Sequence, residues 1–579
     1  MSIFSARIPE KKYNHFVNSN SKNHSTILWV LLTVALAAQA LQGGNVFRVT
    51  PYVQHATTNA MSLLWLAQET GSATVSWWPE GRPGEVRQIT TQGREATELS
   101  YEGDTSHSFQ YLPYTVPWQH RCRIEGLQPD SRYAYTVTLA GGESYSNVFR
   151  TSPARRRAVR FVCYSDCETE PGSNGSAVTW DDLRLDHDEN PSATSRKYLV
   201  DQTVGYASNI CAMVAREPDF VVIAGDLAQA GSRQTDWDEF WRHNAGKLND
   251  PAGSTPIVAA IGNHEYSSYQ DLDGERGARK YLSYFEYEPN GANVLEDQQE
   301  RFHRFNYGPV ALIFLDLNNG PDRNPANTWQ QEYGNPHPED TNAQLRQATS
   351  HAPDFREGSV QYVWLEEQLR DAQTNALFTF VVSHQCPFSA GYHGRAMGEI
   401  GRGTEGETLS GVATRCLTNL LFRYGCDAWI CGHDEMYEHS QVHGEETLPD
   451  GTRRPITLNV YDVGMGGDGL RGCRVTTNPN PWEVFRAHVN APEVYDANER
   501  LVSGGKHYGH LEVNVAPNAQ GLWQATLTPA YVFVTTDASG KPCGFERRTY
   551  PDEIVVTNTL FRDDVPTSSA NSPLTIVIR

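Results

Sequence analysis

The sequence has little basic charge to set against its acidic charge. Lysine and arginine contribute 48 residues and aspartate and glutamate contribute 69, which gives a formal net charge of −21 at pH 7. No long basic run offsets this excess. Because such a surface repels nucleic acid and anionic membranes, we expect neither as a partner. A phosphate-bearing substrate would need a local positive centre, such as a bound metal ion.

Long apolar runs are also scarce, and only one approaches the length of a membrane span. This run, TILWVLLTVALAAQA at residues 26–40, follows a basic N-terminal region and ends in Ala38-Gln39-Ala40. A basic region, an apolar run and a small-x-small site form the pattern of a secretory signal peptide. We therefore predict a signal peptide over residues 1–40 and a secreted, periplasmic or cell-surface protein with no stable membrane span after cleavage. Because the basic region is long, an uncleaved membrane anchor is the alternative.

The cysteines lack the spacing of a zinc knuckle. Neither Cys163/Cys167 nor Cys426/Cys431 has the two-residue gap of such a site, although the chain contains 10 cysteines. Export would permit disulfides, but spacing alone does not give their connectivity. We assign the cysteines no chemistry and leave their connectivity open.

Two different strand patterns follow the apolar run. Residues 46–151 alternate apolar and polar in short pieces separated by glycine, proline and aspartate turn signals. This pattern predicts a small antiparallel β-sandwich of about seven strands. We place the all-β domain at residues 45–152.

Beyond the basic segment SPARRRAVR the strand pattern changes. Six short continuous apolar runs are separated in several places by amphipathic stretches: RFVCYS, DFVVIA, TPIVAAI, VALIFL, LFTFVV and DAWIC, with the stretches at Ser195–Glu217, Val360–Asn375 and Ala413–Tyr424. Buried strands alternating with helices predict a layered α/β domain, which we place at residues 158–535. Residues 536–579 form a C-terminal extension whose strand-like pieces would add an edge strand or dock on a neighbour.

Five of these predicted strands end in side chains that can bind metal. The residues at their carboxyl ends are Asp166, Asp226, the segment Gly262–Glu265, His384 and His433. A lone aspartate or histidine after a strand is usually a cap or a turn residue, but five in one domain indicate a shared site, because ligands gather at the carboxyl ends of such strands. Two metal ions about 4 Å apart can share a carboxylate and activate water for attack on a phosphoryl group. Asp226, in the middle of the series, is the expected bridge.

The sequence at these strand ends resembles the calcineurin-like metallophosphoesterases. The matching blocks are GDLAQAG, GNHEY, VVSHQCPFSAGYH and GHDEMYEHS. The segments FRVTPYVQHATTNAMSLLW and GLQPDSRYAYTVTL are similar to the fibronectin type III-like N-terminal domain of purple acid phosphatases. This resemblance implies a four-layer α/β/β/α sandwich preceded by an all-β fibronectin-like sandwich domain.

The resemblance also implies roles for particular residues. Asp166 would bind the first metal, Asp226 would bridge both, and the second metal would be bound by Asn263, His384 and His433. His264 and His393 would act on the substrate phosphate as catalytic residues. Imidazole suits this role because it exchanges protons near neutral pH. Glu265 would orient its neighbours.

The chain departs from the family pattern at three positions. Gln229 occupies the position of the iron-binding tyrosine of purple acid phosphatases, so an iron form should lack the tyrosinate colour. Glu168 and Glu435 each replace a histidine of the wider superfamily. We expect both to bind the first metal, although each could be a solvated or capping carboxylate, and we expect Asp434 to face away from the metals.

These replacements predict an unequal pair of metal ions. The first site is rich in oxygen ligands, whereas the second has two histidines. Oxygen ligands favour Mn, Mg, Ca or ferric iron, and a site with two imidazoles suits Zn, Mn or Fe. The predicted cofactors are therefore two metal ions drawn from Fe, Mn, Zn, Mg and Ca.

The segment GMGGDG at residues 464–469 fits a dinucleotide-binding glycine pattern. The sequence after it is rich in proline and predicts no helix to receive a pyrophosphate. We therefore interpret it as the glycine-rich turn that the phosphatase family places near its site.

Together these features predict an exported phosphatase that hydrolyses small phosphate monoesters by attack of a metal-bound hydroxide. A phosphodiesterase or nucleotidase with the same metals is one alternative. A cell-surface binding protein with weakened catalysis is the other. The oligomeric state stays open.

Overall fold

The computed structural model describes most of the chain from Val46 onward. The described residues are 46–102, 104, 112–154, 156–169, 201–266, 275–318, 352–355, 357–391, 414–470, 480–498, 500–539 and 542–562, with backbone alone at 178–179, 197–198, 275 and 559–562. Residues 1–40, with the predicted signal peptide, and His393 lie outside this set. In the described part of the chain, no helix is long and apolar enough to cross a membrane.

The N-terminal domain consists of two four-stranded antiparallel sheets, ordered β1-β2-β6-β5 and β4-β3-β7-β8. Its strands are β1 (Phe47–Gln54), β2 (Ala60–Ala67), β3 (Ser72–Pro79), β4 (Arg87–Gln92), β5 (Arg94–Glu95), β6 (Trp118–Glu125), β7 (Arg132–Leu139) and β8 (Ser144–Arg150). Side chains of β7 alternate between buried and less buried positions, as expected where one face covers a core. The all-β prediction is confirmed, with eight strands where about seven were expected.

A seven-stranded mixed sheet begins the second domain, in the order β13-β12-β9-β23-β24-β25, with β26 also paired to β24. Its strands are β9 (Val159–Tyr164), β12 (Phe220–Ile223), β13 (Ile257–Ala259), β23 (Gly509–Pro517), β24 (Leu522–Thr536), β25 (Pro542–Thr549) and β26 (Ile554–Arg562). β12 runs parallel to both β9 and β13. The described part of the C-terminal extension therefore adds two strands to this sheet.

A second seven-stranded sheet has the order β14-β15-β16-β17-β19-β18-β20. Its strands are β14 (His303–Tyr307), β15 (Val310–Phe314), β16 (Phe378–Gln385), β17 (Ala428–Gly432), β18 (Tyr437–Thr447), β19 (Arg453–Val463) and β20 (Glu483–Arg486). Two short pairs lie outside both sheets: β10 (Val178–Thr179) with β11 (Lys197–Tyr198), and β21 (Val494–Tyr495) with β22 (Leu501–Ser503).

Alternation along the strands shows how the layers stack. Phe380 and Val382 of β16 belong to the large hydrophobic cluster that also contains Phe161 of β9, whereas Val381 belongs to a second cluster with Leu365 and Leu421. Successive strand residues point to opposite faces, so one face of the second sheet packs on the first sheet and the other packs on helices. The predicted α/β/β/α order is confirmed.

The structure describes six helices, and several of them pack on strands of the two sheets. They are α1 (Gln202–Val214), α2 (Gln234–Asn244), α3 (Asn263–Tyr266), α4 (Glu275–Tyr284), α5 (Val360–Asn375) and α6 (Thr418–Arg423), with 3-10 turns at Pro83–Glu85, Thr97–Leu99, Pro251–Gly253, Glu296–Gln298 and Arg415–Leu417. α1 packs against β23 and β24, while α5 packs against β15 and β16.

Two helix starts are set by side-chain caps. Asp201 accepts a hydrogen bond from Val204 N–H at 3.2 Å, and Ser359 does the same for Tyr362 N–H at 3.2 Å. The first cap explains why α1 begins at Gln202 rather than at the predicted Ser195. Its end at Val214 precedes Glu217, which has a left-handed φ of 51°, and then a proline. The predicted bounds of α5 match the structure.

Candidate metal centre

The two sheets bring their strand ends together at one edge of the sandwich. β9, β12 and β13 are neighbouring parallel strands of the first sheet, and β16 and β17 are neighbouring parallel strands of the second. Parallel strands place their carboxyl ends on the same side of a sheet, so the segments that follow them meet there. The predicted residues at these ends are Asp166, Asp226, Asn263, His384 and His433.

Four of these side chains converge on one point. The Nε2 atom of His384 lies 2.9 Å from Asp226 Oδ2, 2.9 Å from Asn263 Oδ1 and 3.1 Å from His433 Nδ1. Separations near 3 Å are those expected between atoms that share one ion at bonds of about 2.0–2.2 Å. Asp226, His384 and His433 form one of three groups able to hold a metal ion among the described residues.

Hydrogen bonds fix the protonation pattern of His384. Its Nδ1 lies 2.9 Å from the carbonyl oxygen of Ala224, which can only accept, so Nδ1 carries a proton. The other ring nitrogen, Nε2, is then the atom available to a metal. A metal-binding histidine held through its second nitrogen by a backbone carbonyl is a common arrangement.

Backbone strain is concentrated at the same residues. Asp166, Asp226 and His433 have φ values of 55°, 51° and 82°, in the left-handed region that residues with a Cβ rarely adopt. Such conformations persist where the surrounding structure enforces them, which is typical of functional sites.

Glycine allows the loops to approach one another at two points. A Cβ at Gly262 would lie 2.1 Å from Asp226 Oδ1, and a Cβ at Gly432 would lie 2.3 Å from Asp166 Oδ2. No side chain fits at those distances, so a larger residue would displace the carboxylate.

Glu265 joins two of the loops. Its buried carboxylate accepts hydrogen bonds from the N–H groups of Leu227 at 2.8 Å, Gly262 at 2.7 Å and Asp226 at 3.1 Å. The loop after β12 is thereby tied to the loop after β13. These contacts are those of an orienting residue, as the sequence predicted.

Asp166 lies beside this group, next to the loop that contains His433. The backbone N–H of His433 donates to Asp166 Oδ2 at 2.9 Å. The carbonyl oxygen of Asp166 in turn accepts from the N–H groups of Gly467 at 2.9 Å and Asp468 at 2.8 Å. The glycine-rich turn after β19 is therefore anchored on Asp166, and no helix begins within residues 464–470, where the described part of this segment ends.

Two further groups of side chains can hold a metal ion among the described residues. One consists of Glu168, Asp226 and His264, and the other of Glu168, Glu435 and Asp468. In each group, as in the first, the ligand atoms lie within 4.8 Å of one another. Glu168 and Glu435 are thus brought together as expected. Asp468 was missed, because a single aspartate in a glycine-rich turn carries no sequence signal for a partner in another loop.

His264 faces the carboxylate that two of the groups share. Its Nδ1 lies 2.7 Å from the carbonyl oxygen of Gln229, so Nδ1 carries the proton and Nε2 points inward, 4.0 Å from Asp226 Oδ2. Its backbone N–H donates to Asp226 Oδ1 at 2.9 Å. Gln229 therefore contributes to the site through its backbone, which positions the imidazole.

The neighbouring residues of the GHDE segment point elsewhere. Asp434 accepts a hydrogen bond from Ser389 Oγ at 2.5 Å and belongs to none of the three groups. His439 bonds through Nδ1 to Asp552 at 3.1 Å and through Nε2 to Asn459 at 3.2 Å. Both residues support the strands that carry the site.

Burial and charge shape the acidity of these groups. Burial raises the pKa of Asp166 to about 7 and holds that of Glu168 well above its usual range. Burial opposes ionisation of Asp226 as well, but His384 and His264 lower its pKa below the ordinary value. Burial also disfavours charge on His384, yet Asp226 raises the pKa of His384 to about 9. A cation at His384 Nε2 would release the proton held there.

The donor set fits bound metal ions. Both carboxylate oxygens of Glu168 are buried and have no hydrogen-bond partner within the described residues. In addition, Asp226 Oδ2, Asn263 Oδ1 and His433 Nδ1 all lie within 3.1 Å of His384 Nε2. A single proton on Nε2 cannot form a good hydrogen bond to all three atoms at once. A positive centre among these atoms, either a metal ion or the proton on His384 Nε2, stabilises the arrangement.

Fold and site together define a metallophosphoesterase. Residues 197–436 match the calcineurin-like phosphoesterase family, and residues 47–152 match the purple acid phosphatase N-terminal domain. The chain therefore contains a calcineurin-like phosphoesterase domain, preceded by a purple acid phosphatase N-terminal domain. The family resemblance and the enzyme class predicted from sequence are confirmed. The family implies divalent metal ions, and its members act on phosphate esters.

Two solved structures share this fold at low sequence identity. Purple acid phosphatase PPD1 from yellow lupin (Lupinus luteus) seeds is 17% identical with a TM-score of 0.53, and the match covers 90% of this chain and 77% of that chain. PhoD is 12% identical with a TM-score of 0.51, and the match covers 88% of this chain and 90% of that chain. No curated protein matches the sequence.

Proposed function

We propose that this chain is an exported phosphatase that hydrolyses phosphate monoesters with two metal ions. The second ion would be held by Asp226, Asn263, His384 and His433, and the first by Asp166, Glu168, Asp226 and Glu435. Asp226 would serve both ions. The observation that supports the proposal is that ligand atoms of Asp226, Asn263 and His433 lie around His384 Nε2. Asp226 also belongs to the neighbouring group with Glu168 and His264.

The metal pair would withdraw charge from a phosphoryl group and lower the pKa of a nearby water molecule. The protein's own contribution is positional. Glu265 ties the loop of Asp226 to that of Asn263, and Ala224 holds the ring of His384. Fixed ligands of this kind need no reorganisation during reaction.

His264 is the proposed proton donor to the leaving group. Hydrolysis adds water across the P–O bond, so the departing alkoxide must gain a proton. The carbonyl of Gln229 fixes Nδ1, and the Nε2 that faces Asp226 is left for this transfer when it is protonated. His393 is proposed as a second contact to the phosphate, on the basis of the family resemblance alone.

A hydrolysis assay on the full chain tests this function. The protein is stripped with a chelator and reloaded with Mn, Zn, Fe or Ca. We expect the reloaded protein to hydrolyse p-nitrophenyl phosphate faster than bis(p-nitrophenyl) phosphate, and the stripped protein to hydrolyse neither. Faster turnover of the diester would assign a phosphodiesterase. Absence of turnover with every metal, in protein that remains folded, would favour the binding role.

A pair of histidine variants provides the matched control. His384→Ala removes the nitrogen on which the ligands converge and should abolish both activity and metal retention at the second site. His443→Ala removes an exposed imidazole on β18 and should leave both unchanged. Full activity in His384→Ala would contradict the proposed site.

Export is a separate part of the proposal. The basic region and apolar run before Leu41 support it. N-terminal sequencing of protein recovered from the periplasm or the medium should give a start near Leu41. Recovery from the membrane with Met1 intact would instead support the anchor.

A further inference from the structure

Of the six strands predicted in the second domain, β15 alone received no metal ligand at its carboxyl end. Asp316 and Asn318 follow this strand, and their side chains are 0% and 4% exposed. β15 runs parallel to β16, so its carboxyl end lies beside that of the strand that contains His384. Asp316 belongs to none of the three metal groups. Two buried polar residues beside the candidate metal centre therefore have no assigned role.

Asn318 joins segments of the two sheets. Its Nδ2 donates to Ile261 O at 3.1 Å, in the segment that follows β13, and its Oδ1 accepts from Gln385 Nε2 at 2.8 Å, at the end of β16. Ile261 lies two positions before Asn263, and Gln385 directly follows His384. The ligand atoms of these segments, Asn263 Oδ1 and His384 Nε2, lie 2.9 Å apart. One asparagine side chain thus connects the segments that carry two ligands of the second metal.

Asp316 fixes the orientation of the Asn318 amide. Its Oδ1 accepts from the backbone N–H of Asn318 at 3.0 Å and from Asn318 Nδ2 at 2.9 Å. The carbonyl oxygen of Ile261 can only accept, so the amide nitrogen faces Ile261 and Asp316, and Oδ1 is left to face Gln385. Asp316 is itself held by α5, because its N–H donates to Gln361 Oε1 and its carbonyl oxygen accepts from Gln361 Nε2, each at 2.9 Å. Contacts within the protein therefore set the position of Asn318.

Tyr266 connects Asp316 to the loop that carries Asn263. Asn263 begins α3 and Tyr266 ends it. The hydroxyl of Tyr266 donates to Asp316 Oδ2 at 2.5 Å and accepts from Arg301 Nη1 at 2.7 Å. Both Tyr266 and Arg301 are buried. A chain of buried hydrogen bonds therefore runs from Arg301 to Asn318.

This network is fully paired at its centre. Within the described residues, no buried side-chain nitrogen or oxygen of Tyr266, Arg301, Asp316 or Asn318 lacks a hydrogen-bond partner. A satisfied buried network is rigid and holds its members in one arrangement. Metal ligands depend on support of this kind, because residues that hold them in place commonly determine how tightly the ion binds.

We propose that Tyr266, Asp316 and Asn318 are positioning residues of the second metal site. They hold the segment of Asn263 against that of His384, and this sets the metal affinity and the ligand geometry of the site. The inference rests on the second metal ion of the proposed function and extends it to three residues that are not themselves ligands.

Cobalt binding to the full chain tests the inference. The visible absorption bands of Co²⁺ depend on the number and geometry of its ligands, so they report on the shape of the site. The protein is stripped with a chelator and titrated with Co²⁺, which gives both the bands and the affinity. Bands that are absent in His384→Ala are assigned to the second site.

Asn318→Ala removes the contacts to both segments. We expect Co²⁺ to bind the second site about 10–100-fold more weakly, with shifted bands, as is usual when a residue that supports a metal ligand is lost. Asn306→Ala makes the same change at an exposed position of β14 and should keep the wild-type values. A residue that only stabilised the fold would lower the midpoint of urea unfolding without changing the Co²⁺ affinity or bands of the folded protein. That result would overturn the inference.

Tyr266→Phe covers the case in which Asn318→Ala does not fold. Phenylalanine keeps the ring and removes only the hydroxyl, so the chain from Arg301 to Asp316 is broken with little change in packing. Co²⁺ affinity at the second site should fall by about tenfold, the lower end of the range for such residues. Wild-type affinity and bands in Tyr266→Phe would then overturn the inference.

The same samples separate this inference from the proposed function. Weaker Co²⁺ binding in the variants, without ester hydrolysis by the wild type, would remove the phosphatase and leave the inference standing. Ester hydrolysis by the wild type, with unchanged Co²⁺ binding in the variants, would do the reverse. A wild-type chain that binds no Co²⁺ would overturn the inference, because there would be no second site to position.

Discussion

The position of His264 is compatible with two roles, catalysis and metal binding. Its Nδ1 is bonded to the carbonyl of Gln229, while its Nε2 is 4.0 Å from Asp226 Oδ2 and lies within reach of Glu168. An imidazole in this position could donate a proton to a leaving group or bind the first metal. The two roles differ in what is lost when Nε2 is removed.

We expect His264→Asn to lower kcat for p-nitrophenyl phosphate by about 10²–10⁴-fold, the usual contribution of a positioned acid or base. The asparagine amide can still donate to the carbonyl of Gln229, so the loop should keep its shape and its metals. Steady-state kinetics and metal content on the same samples measure both effects. Loss of one metal ion together with activity would make His264 a ligand instead.

Glu265 supports the site through backbone contacts. We expect Glu265→Ala to lower the free energy of unfolding by at least about 3 kcal/mol, because the N–H groups of Asp226, Leu227 and Gly262 lose their acceptor. Metal affinity should fall about 10–100-fold. Urea unfolding in a chelator and equilibrium dialysis measure the two effects. Glu265→Gln keeps one acceptor oxygen, so its free energy of unfolding and its metal affinity should lie between those of the wild type and Glu265→Ala. Equal losses in the two variants would show that the charge of Glu265, and not its hydrogen bonds, is responsible.

Sequence reasoning found the parts of the site that follow strands. Asp226, His384 and His433 lie together because parallel strands end at one edge, a rule that needs no knowledge of packing. Asp468 lies in a turn, and its neighbour Glu168 is 300 positions earlier in the chain. Only the packing of the two sheets shows that they meet.

At the level of elements, the C-terminal strands connect the first sheet to the second. β25 and β26 pair with β24, and Asp552 between them reaches β18, where it accepts from Tyr437 O–H at 2.6 Å and bonds His439 at 3.1 Å. The sequence indicated strands here but not where they would pair, because edge pairing depends on which neighbour is exposed. The start of α1 was also not predicted correctly, because it depends on the single side-chain cap from Asp201.

We expect Asp552→Ala to lower the free energy of unfolding by about 1–3 kcal/mol, because Tyr437 and His439 lose a buried acceptor. Denaturant unfolding of the full chain measures this. The metal content of the folded variant should stay that of the wild type, because neither residue belongs to a metal group. The exposed substitution Asp450→Ala is the control. An equal loss of stability in that variant would show that the buried contacts of Asp552 with Tyr437 and His439 do not stabilise the fold.

For the whole molecule, the contact between the N-terminal domain and the catalytic domain is extensive and partly polar. The rings of Tyr52 and Trp241 are in contact, with centroids 4.2 Å apart and planes tilted by 32°, and Tyr135 O–H donates to Gly253 O at 2.6 Å. Lys280 of α4 is fully buried at this interface. Its Nζ donates to Ser100 O of the N-terminal domain at 2.9 Å and to Gln234 Oε1 of α2 at 3.0 Å.

Burial lowers the pKa of Lys280 from its ordinary value to about 7, with Arg276 adding to the effect and Asp104, Asp238 and Glu98 opposing it. The unfolded chain would hold this proton up to its ordinary pKa near 10.5, so between pH 7 and 10.5 it binds more protons than the folded chain. Stability should therefore rise with pH across this window, by up to about 1.4 kcal/mol per pH unit from this group.

Comparing Lys280→Met with the wild type isolates that slope. Methionine cannot titrate, so the plot of unfolding free energy against pH should lose this rise between pH 7 and 10.5. The two unpaired acceptors at Ser100 and Gln234 should lower stability by an amount that does not vary with pH. Urea unfolding at several pH values measures both effects, and the exposed Lys247→Met should keep the wild-type slope. Parallel curves for wild type and Lys280→Met would contradict the prediction, because the buried amine would then titrate alike in the folded and unfolded chain.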